Sequence, residues 1–174
     1  PDTLSLDEIT LLMKRYPRFK QVTLSGGEPY LRADLAELIT IIHRVGGARF
    51  VTVSSNGSLP VHTARTIESV LASCPDLHYR ASLSVDDLPE QHDRVRKIPG
   101  LFERIRETYG ELVRLAHEYP GKVELNVQTV LSGLNKNRIA AVREMVEREF
   151  PLCRRSLVLA RGEVPDPDAL DVSA

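Results

Sequence analysis

The sequence predicts an α/β protein with a parallel sheet, either doubly wound or a section of a β/α barrel. Three observations carry this. Short β-branched runs alternate strictly with amphipathic stretches along the 174-residue chain, and that order implies parallel strands joined by right-handed crossovers. No hairpin turn sits directly between two strand runs: Asn56-Gly57 is a suitable dipeptide, but a helical pattern follows it. The length suits one domain, large enough to bury roughly two-thirds of its unfolded surface. The chain opens on a helix, so the strand that should precede that helix is expected upstream of Pro1.

Each element has its own signal. Ser5 with Glu8 is a capping-box signature, and Ile9, Leu12, Met13 and Tyr16 recur behind it at helical spacing. Gln21 to Ser25 reads as a short strand. Asp34 with Glu37 opens a second helix with the apolar stripe Leu35, Leu38, Ile39 and Ile42, and Gly46-Gly47 ends it. Phe50 to Ser54 is the second strand. Pro60 suits the first turn of a helix carrying Ala64, Ile67 and Leu71. His78 to Val85 alternates as a strand. Leu101, Ile105, Leu112 and Ala116 mark a long helix that Pro120-Gly121 stops. Val123 to Leu131 is the clearest strand, Asn135 is placed to cap a helix with Ile139, Val142 and Val146, and Ser156 to Ala160 is the last strand. The reading is thus five strands with four helices between them. Residues 1–161 form the domain, and 162–174, rich in Asp, Glu and Pro, form a linker or tail.

Composition excludes several functions. Lys and Arg number 23 against 24 Asp and Glu, a net charge of -1, so charge alone recruits no nucleic acid. Trp is absent and aromatics are 5%, which leaves no stacking platform for single strands. No apolar run spans a bilayer and no signal peptide is visible. Cys74 and Cys153 match no metal or redox spacing and read as packing residues in a reducing cytoplasm. His43, His62, His78 and His117 form no spaced cluster, and His92 reads as a residue that caps or bridges a loop. Asp86-Asp87 lacks a third ligand nearby, so no metal site is expected.

Ligands of parallel α/β folds bind beyond the carboxyl ends of the strands. Those ends read Ser25-Gly26-Gly27-Glu28-Pro29, Ser54-Ser55-Asn56-Gly57 and Ser84-Val85-Asp86-Asp87, with Asn126, Gln128 and Thr129 on the fourth strand and Arg161-Gly162 after the fifth. Loops are polar in any case, and that explains part of the pattern. Gly26-Gly27-Glu28-Pro29 carries more. Two glycines let a ligand approach the main chain closely, and Pro29 holds Glu28 extended. A carboxylate with nearby carbonyls suits a cationic amine; the plain alternative is a strand-to-helix turn with a solvated Glu28. Arg96 suits bidentate recognition of a carboxylate, although on spacing alone it reads as part of a solvated helix face.

The stretch Val22-Thr23-Leu24-Ser25-Gly26-Gly27-Glu28-Pro29-Tyr30-Leu31 resembles the Gly-Gly-Glu-Pro segment of the radical S-adenosylmethionine (SAM) superfamily. Val53 to Gly57 resembles that family's next strand end, commonly Thr-Asn-Gly. Ser82 to Asp87, followed by His92-Asp93-Arg94-Val95-Arg96, resembles a third block, and Thr129 to Asn135 resembles the usual fifth-strand exit. The four blocks stand in register over nearly the whole chain. Asp87 departs from the pattern, since Gly is usual there.

The resemblance implies a partial, open β/α barrel and an enzyme. The intact protein would pass one electron from a [4Fe–4S] cluster to SAM, and the resulting 5′-deoxyadenosyl radical would abstract hydrogen from a substrate, either a peptide or a small molecule. It implies a cofactor bed of Gly26, Gly27, Glu28, Pro29, Ser55, Asn56, Ser84, Arg96 and Gln128. Within it Glu28 would favour the amine, Arg96 would take the carboxylate, Ser84 would donate to the same carboxylate or to the ribose, and Ser55 and Asn56 would bind the ribose or lie near substrate. The family's Cys-x3-Cys-x2-Cys loop does not occur in this sequence, so the cluster ligands are expected upstream, with an electron donor and a C-terminal auxiliary module as further partners. No catalytic residue is assigned within the chain. The alternative is a non-catalytic α/β module that binds a nucleotide or an adenosine-like ligand; a cysteine triplet upstream of Pro1 separates the two. A lyase or aldolase using a Schiff base is disfavoured, because no strand end carries Lys.

Overall fold

The computed structural model describes residues 4–16, 18–161 and 167–170. Helix α1 (Leu6–Arg15) begins at the expected capping box: Ser5 Oγ accepts from the Glu8 amide and the Glu8 carboxylate accepts from the Ser5 amide. Strand β1 (Gln21–Leu24) and a 3₁₀ turn (Pro29–Leu31) lead to α2 (Leu35–Arg44). Then come β2 (Phe50–Ser55), α3 (Pro60–Ser73), β3 (His78–Ser84), α4 (Pro89–Arg96) and α5 (Leu101–Glu118). Strand β4 (Val123–Leu131), a 3₁₀ turn (Lys136–Arg138), α6 (Ile139–Glu149) and β5 (Arg154–Leu159) complete the sheet.

All five strands are parallel and lie in the order β1-β2-β3-β4-β5. The order never reverses, which decides between the two sheets the sequence allows. A doubly wound sheet reverses at a switch point. Here every right-handed crossover places its helix on the same face, and the result is an open arc of a β/α barrel. β1 pairs only with β2 and so forms one edge.

One-sided cover divides the residues by parity. Val51, Val53, Ala81, Leu83, Leu125 and Val127 face the helices and are buried against Ile39, Ile67, Ile105, Leu112 and Val142. Each such Val, Leu or Ile contributes about 1.5–3 kcal/mol by leaving water. The opposite face carries Thr52, Arg80, Ser82, Glu124, Asn126 and Ser156 in matching register. Asn126 Nδ2 donates to Ser82 Oγ at 2.8 Å and Ser156 Oγ at 3.1 Å, a polar rung across three strands.

Three sequence expectations need correction. The β3–β4 crossover holds two helices, not one. α4 escapes a periodicity reading because it buries only His92 among charged neighbours. Asp34 precedes α2 but does not cap it; its carboxylate takes the Arg32 guanidinium at 2.5 and 3.0 Å, a charge-assisted fork that wins over a backbone amide. Asn135 does not cap α6 either, since the 3₁₀ turn intervenes and its side chain is engaged elsewhere. Gly162 and most of the acidic tail lie outside the described residues. Pro167–Leu170 forms a 3₁₀ turn whose Ala169 carbonyl accepts from Gly133 N at 3.0 Å.

Candidate functional site at the carboxyl ends of the strands

At the β1 exit Gly26 and Gly27 are exposed, and a Cβ added to either would meet nothing within 4 Å. No packing inside the chain demands glycine there; the φ of 153° favours it at Gly26, and at both positions the main chain lies open to approach. Glu28 is not a solvated side chain. Its carboxylate accepts from Asn56 N at 2.8 Å, Ser55 Oγ at 3.0 Å and Tyr30 N at 3.1 Å. It therefore clasps β1 to the β2 exit. The carbonyls of Gly26 and Gly27 accept from no backbone amide of the described residues. Pro29 starts the 3₁₀ turn directly behind.

At the β2 exit Ser55 is buried, and its Oγ also accepts from Gly57 N at 2.9 Å. Asn56 Oδ1 accepts from Ser58 N at 2.8 Å, closing a local turn. Gly57 is required twice over. Its φ is 73°, and a Cβ there would lie 2.8 Å from Ile105 Cγ1 on α5. Thr108 on the same helix donates to the Gly57 carbonyl at 2.8 Å.

At the β3 exit Ser84 and Gln128 of β4 are register partners, both half-buried, and neither side chain bonds to a described residue. Asp86 and Asp87 follow. Asp86 Oδ1 accepts from Val130 N at 3.0 Å and Oδ2 pairs with Arg96 Nη2. Arg96 thus reaches back from the end of α4 over the β3 exit, on the same end of the sheet as Glu28 and Asn56. Asp87 is 1% exposed and takes Arg138 Nε at 2.9 Å, while its own Oδ1 also accepts from Leu88 N. The residue that departs from the family pattern is therefore a structural anchor. Both carboxylates are committed to these partners, and the described residues hold no group of three or more His, Cys, Asp or Glu placed to share a metal ion.

His92 is fully buried. Its Nδ1 accepts from Asp86 N at 3.2 Å, so the ring proton lies on Nε2, and burial pulls the imidazole below its ordinary pKa of 6.5. It is a neutral bridge, as the sequence suggested. Cys153 is buried and its thiol is pushed up to about 12 by desolvation; Cys74 is buried too, and neither suits a cluster ligand, which must be a thiolate.

Two connecting roles were not read from the sequence. Asn135 Nδ2 donates to the Asp86 and Val130 carbonyls while its Oδ1 accepts from Ser132 N, joining the β3 and β4 exits. Arg138 had no sequence signal, because its partner lies across a crossover. Two clefts, of about 520 and 720 Å³, lie elsewhere: one at the amino ends of the strands beside Phe50, Arg80 and Glu124, the other between α6 and β5.

Comparison with known proteins decides the family. The model of the Radical SAM superfamily matches residues 1–148. The chain belongs to the radical SAM superfamily. The GTP 3′,8-cyclase of Stenotrophomonas maltophilia (strain R551-3) is 31% identical over 169 residues, covering 92% of this chain and 47% of the cyclase. The AdoMet-dependent heme synthase of Nitratidesulfovibrio vulgaris is 29% identical over 154 residues, covering 85% of this chain and 38% of the synthase. The chain thus spans less than half the length of these two relatives. Among solved structures, anSMEcpe with bound AdoMet and the Kp18Cys peptide aligns over 95% of this chain and 46% of that one, with a TM-score of 0.61 at 16% identity. That likeness shows the shared fold. The radical SAM family uses SAM and a [4Fe–4S] cluster, and the open barrel of parallel strands is the architecture its members share with this chain. No helix among the described residues is long and apolar enough to cross a membrane.

Proposed function

We propose that this radical SAM chain supplies the SAM-binding portion of an enzyme that modifies a peptide or small-molecule substrate by radical chemistry. The observation that carries the proposal is the division of the rim. The β1 exit has exposed glycines, Gly26 and Gly27, whose carbonyls accept from no backbone amide of the described residues, and the β3 exit has the guanidinium of Arg96. A zwitterionic amino-acid moiety needs those two polarities on one face. SAM bound beside a reduced cluster would supply radical hydrogen-abstraction chemistry, and the protein's share would be orientation and shielding.

In this reading the glycine carbonyls accept from the ammonium, and the Glu28 carboxylate adds negative charge behind them while bracing the turn. Arg96 and Ser84 donate to the carboxylate. Asn56, whose Nδ2 bonds to no described residue, is placed for the ribose beside Ser55, and Gln128 stands next to Ser84 on the interior face. In this reading the cluster ligands come from outside this chain, whose two cysteines are both buried. An electron donor completes the requirement. The interior face, with its Ser82–Asn126–Ser156 rung, favours a polar substrate.

The test is Arg96→Ala in the full protein, with SAM binding measured anaerobically. Binding is expected to weaken by about 1.5–3 kcal/mol, the range for hydrogen bonds to charged groups. Normal binding by this variant refutes the carboxylate assignment.

A further inference from the structure

The Arg96 guanidinium has five N–H donors, and the described residues engage it only through Nη2, at Asp86. Asp86 itself is held at three other points. Its amide donates to the buried His92 ring, its carbonyl accepts from Asn135 Nδ2, and its Oδ1 accepts from Val130 N. Those partners come from α4, the β4 exit loop and β4. The far end of α4 is fixed separately, because the Asp93 carboxylate accepts from Gly100 N at 2.7 Å and Phe102 N at 2.8 Å. So the carboxylate at 86 is an immobile post, 14% exposed at its side chain, and the guanidinium leaning on it is 33% exposed.

We propose that Asp86 is a positioning residue that grips one edge of the Arg96 guanidinium so that the other edge is presented to a ligand carboxylate beside Ser84. The inference rests on the SAM-carboxylate reading of Arg96. A long flexible arginine otherwise loses rotamer freedom when it binds, and a fixed partner removes much of that loss beforehand. The geometry also sets the direction of the effect. Asp86 and a ligand carboxylate occupy different edges of one planar fork, so they bind together and do not compete.

The experiment uses the full, cluster-loaded protein and compares equilibrium binding of SAM with that of decarboxylated SAM. Asp86→Asn keeps an oxygen for Val130 N but loses the charge that grips Arg96. It is expected to weaken SAM binding about tenfold, the scale of one charge-assisted hydrogen bond, and to leave decarboxylated SAM nearly unchanged. In an Arg96→Ala background Asp86→Asn should have no further effect on SAM. Equal loss for both ligands, or an undiminished loss in the Arg96→Ala background, overturns the proposal while leaving the carboxylate reading intact. Tighter SAM binding by Asp86→Asn also overturns it, since Asp86 would then be a competitor. If Arg96→Ala itself discriminates neither ligand, the underlying reading fails instead. Should Asp86→Asn not fold, Asp86→Ser serves: it also removes the charge that grips Arg96, so the same selective loss of SAM binding, absent in the Arg96→Ala background, is expected.

Discussion

The two halves of the strand-end rim are built on opposite plans. The β1–β2 half is held by one carboxylate, Glu28, against backbone amides and a serine hydroxyl, with no cation in the clasp. The β3–β4 half is held by two carboxylates, Asp86 and Asp87, each paired with an arginine. The first half therefore presents carbonyl oxygens and negative charge, and the second presents N–H donors. A ligand carrying an ammonium and a carboxylate is oriented by that contrast alone. The halves also differ in how they tolerate change. Backbone clasps fail through conformation, whereas ion-pair clasps fail through uncompensated charge.

The largest effect is expected where conformation decides. Gly57→Ala must hold a left-handed φ and push against Ile105, costs of roughly 1–2 and 1–3 kcal/mol, so chemical denaturation should show about 2–5 kcal/mol of destabilisation. A loss below about 1 kcal/mol would mean that the β2 exit is softer than its packing implies. In the other half Arg138→Ala strands the buried Asp87 carboxylate. It should cost about 2–4 kcal/mol, less than a fully buried pair because the Arg138 side chain is 38% exposed. The double variant with Asp87→Asn should recover part of that loss, and its failure to do so would show that the pair is not what holds the turn.

Ser55→Ala removes one donor from Glu28 while both backbone amides remain, so a smaller loss of about 1–2 kcal/mol is expected in thermal or denaturant unfolding. The mildest test is pH. His92 faces Asp86, Asp87, Asp93 and Arg96, with the Phe102 ring against its edge. Its folded pKa lies below the ordinary 6.5, so as pH falls the unfolded chain binds the proton first. The stability His92 supports is complete above 6.5 and declines below it, by at most about 1.4 kcal/mol per pH unit for one proton. His92→Asn keeps an acceptor for the Asp86 amide and does not titrate there. Its stability should vary less between pH 6.5 and 5 than that of the parent, and an unchanged slope would assign the acid sensitivity to other groups.

The elements themselves were legible wherever burial has a period. Helices α2 and α3 bury the residues their spacing marks, α5 buries Leu101, Ile105 and Leu112 while Ala116 stays half-buried, and β4 runs over the nine residues its composition picks out. α4 was not legible, because a helix that buries a single histidine leaves no apolar stripe to read. Site residues followed the same logic. Gly26, Gly27 and Glu28 stand out as a local string, and so does the block from Ser84 to Arg96, since adjacent residues reveal one another.

What the sequence by itself determined is the succession of strands and helices, the polar character of every strand end, and the resemblance that assigns the family. Tertiary structure alone decided that the Glu28 carboxylate turns to Ser55 and Asn56, that Asp87 is anchored by Arg138, and that Asn135 ties the β3 and β4 exits together. The physical reason is range. Periodicity and turn chemistry act over a few residues, so they are written in local sequence. These clasps join groups 28, 51 and 49 positions apart, and only the parallel crossovers bring such distant groups within hydrogen-bonding distance.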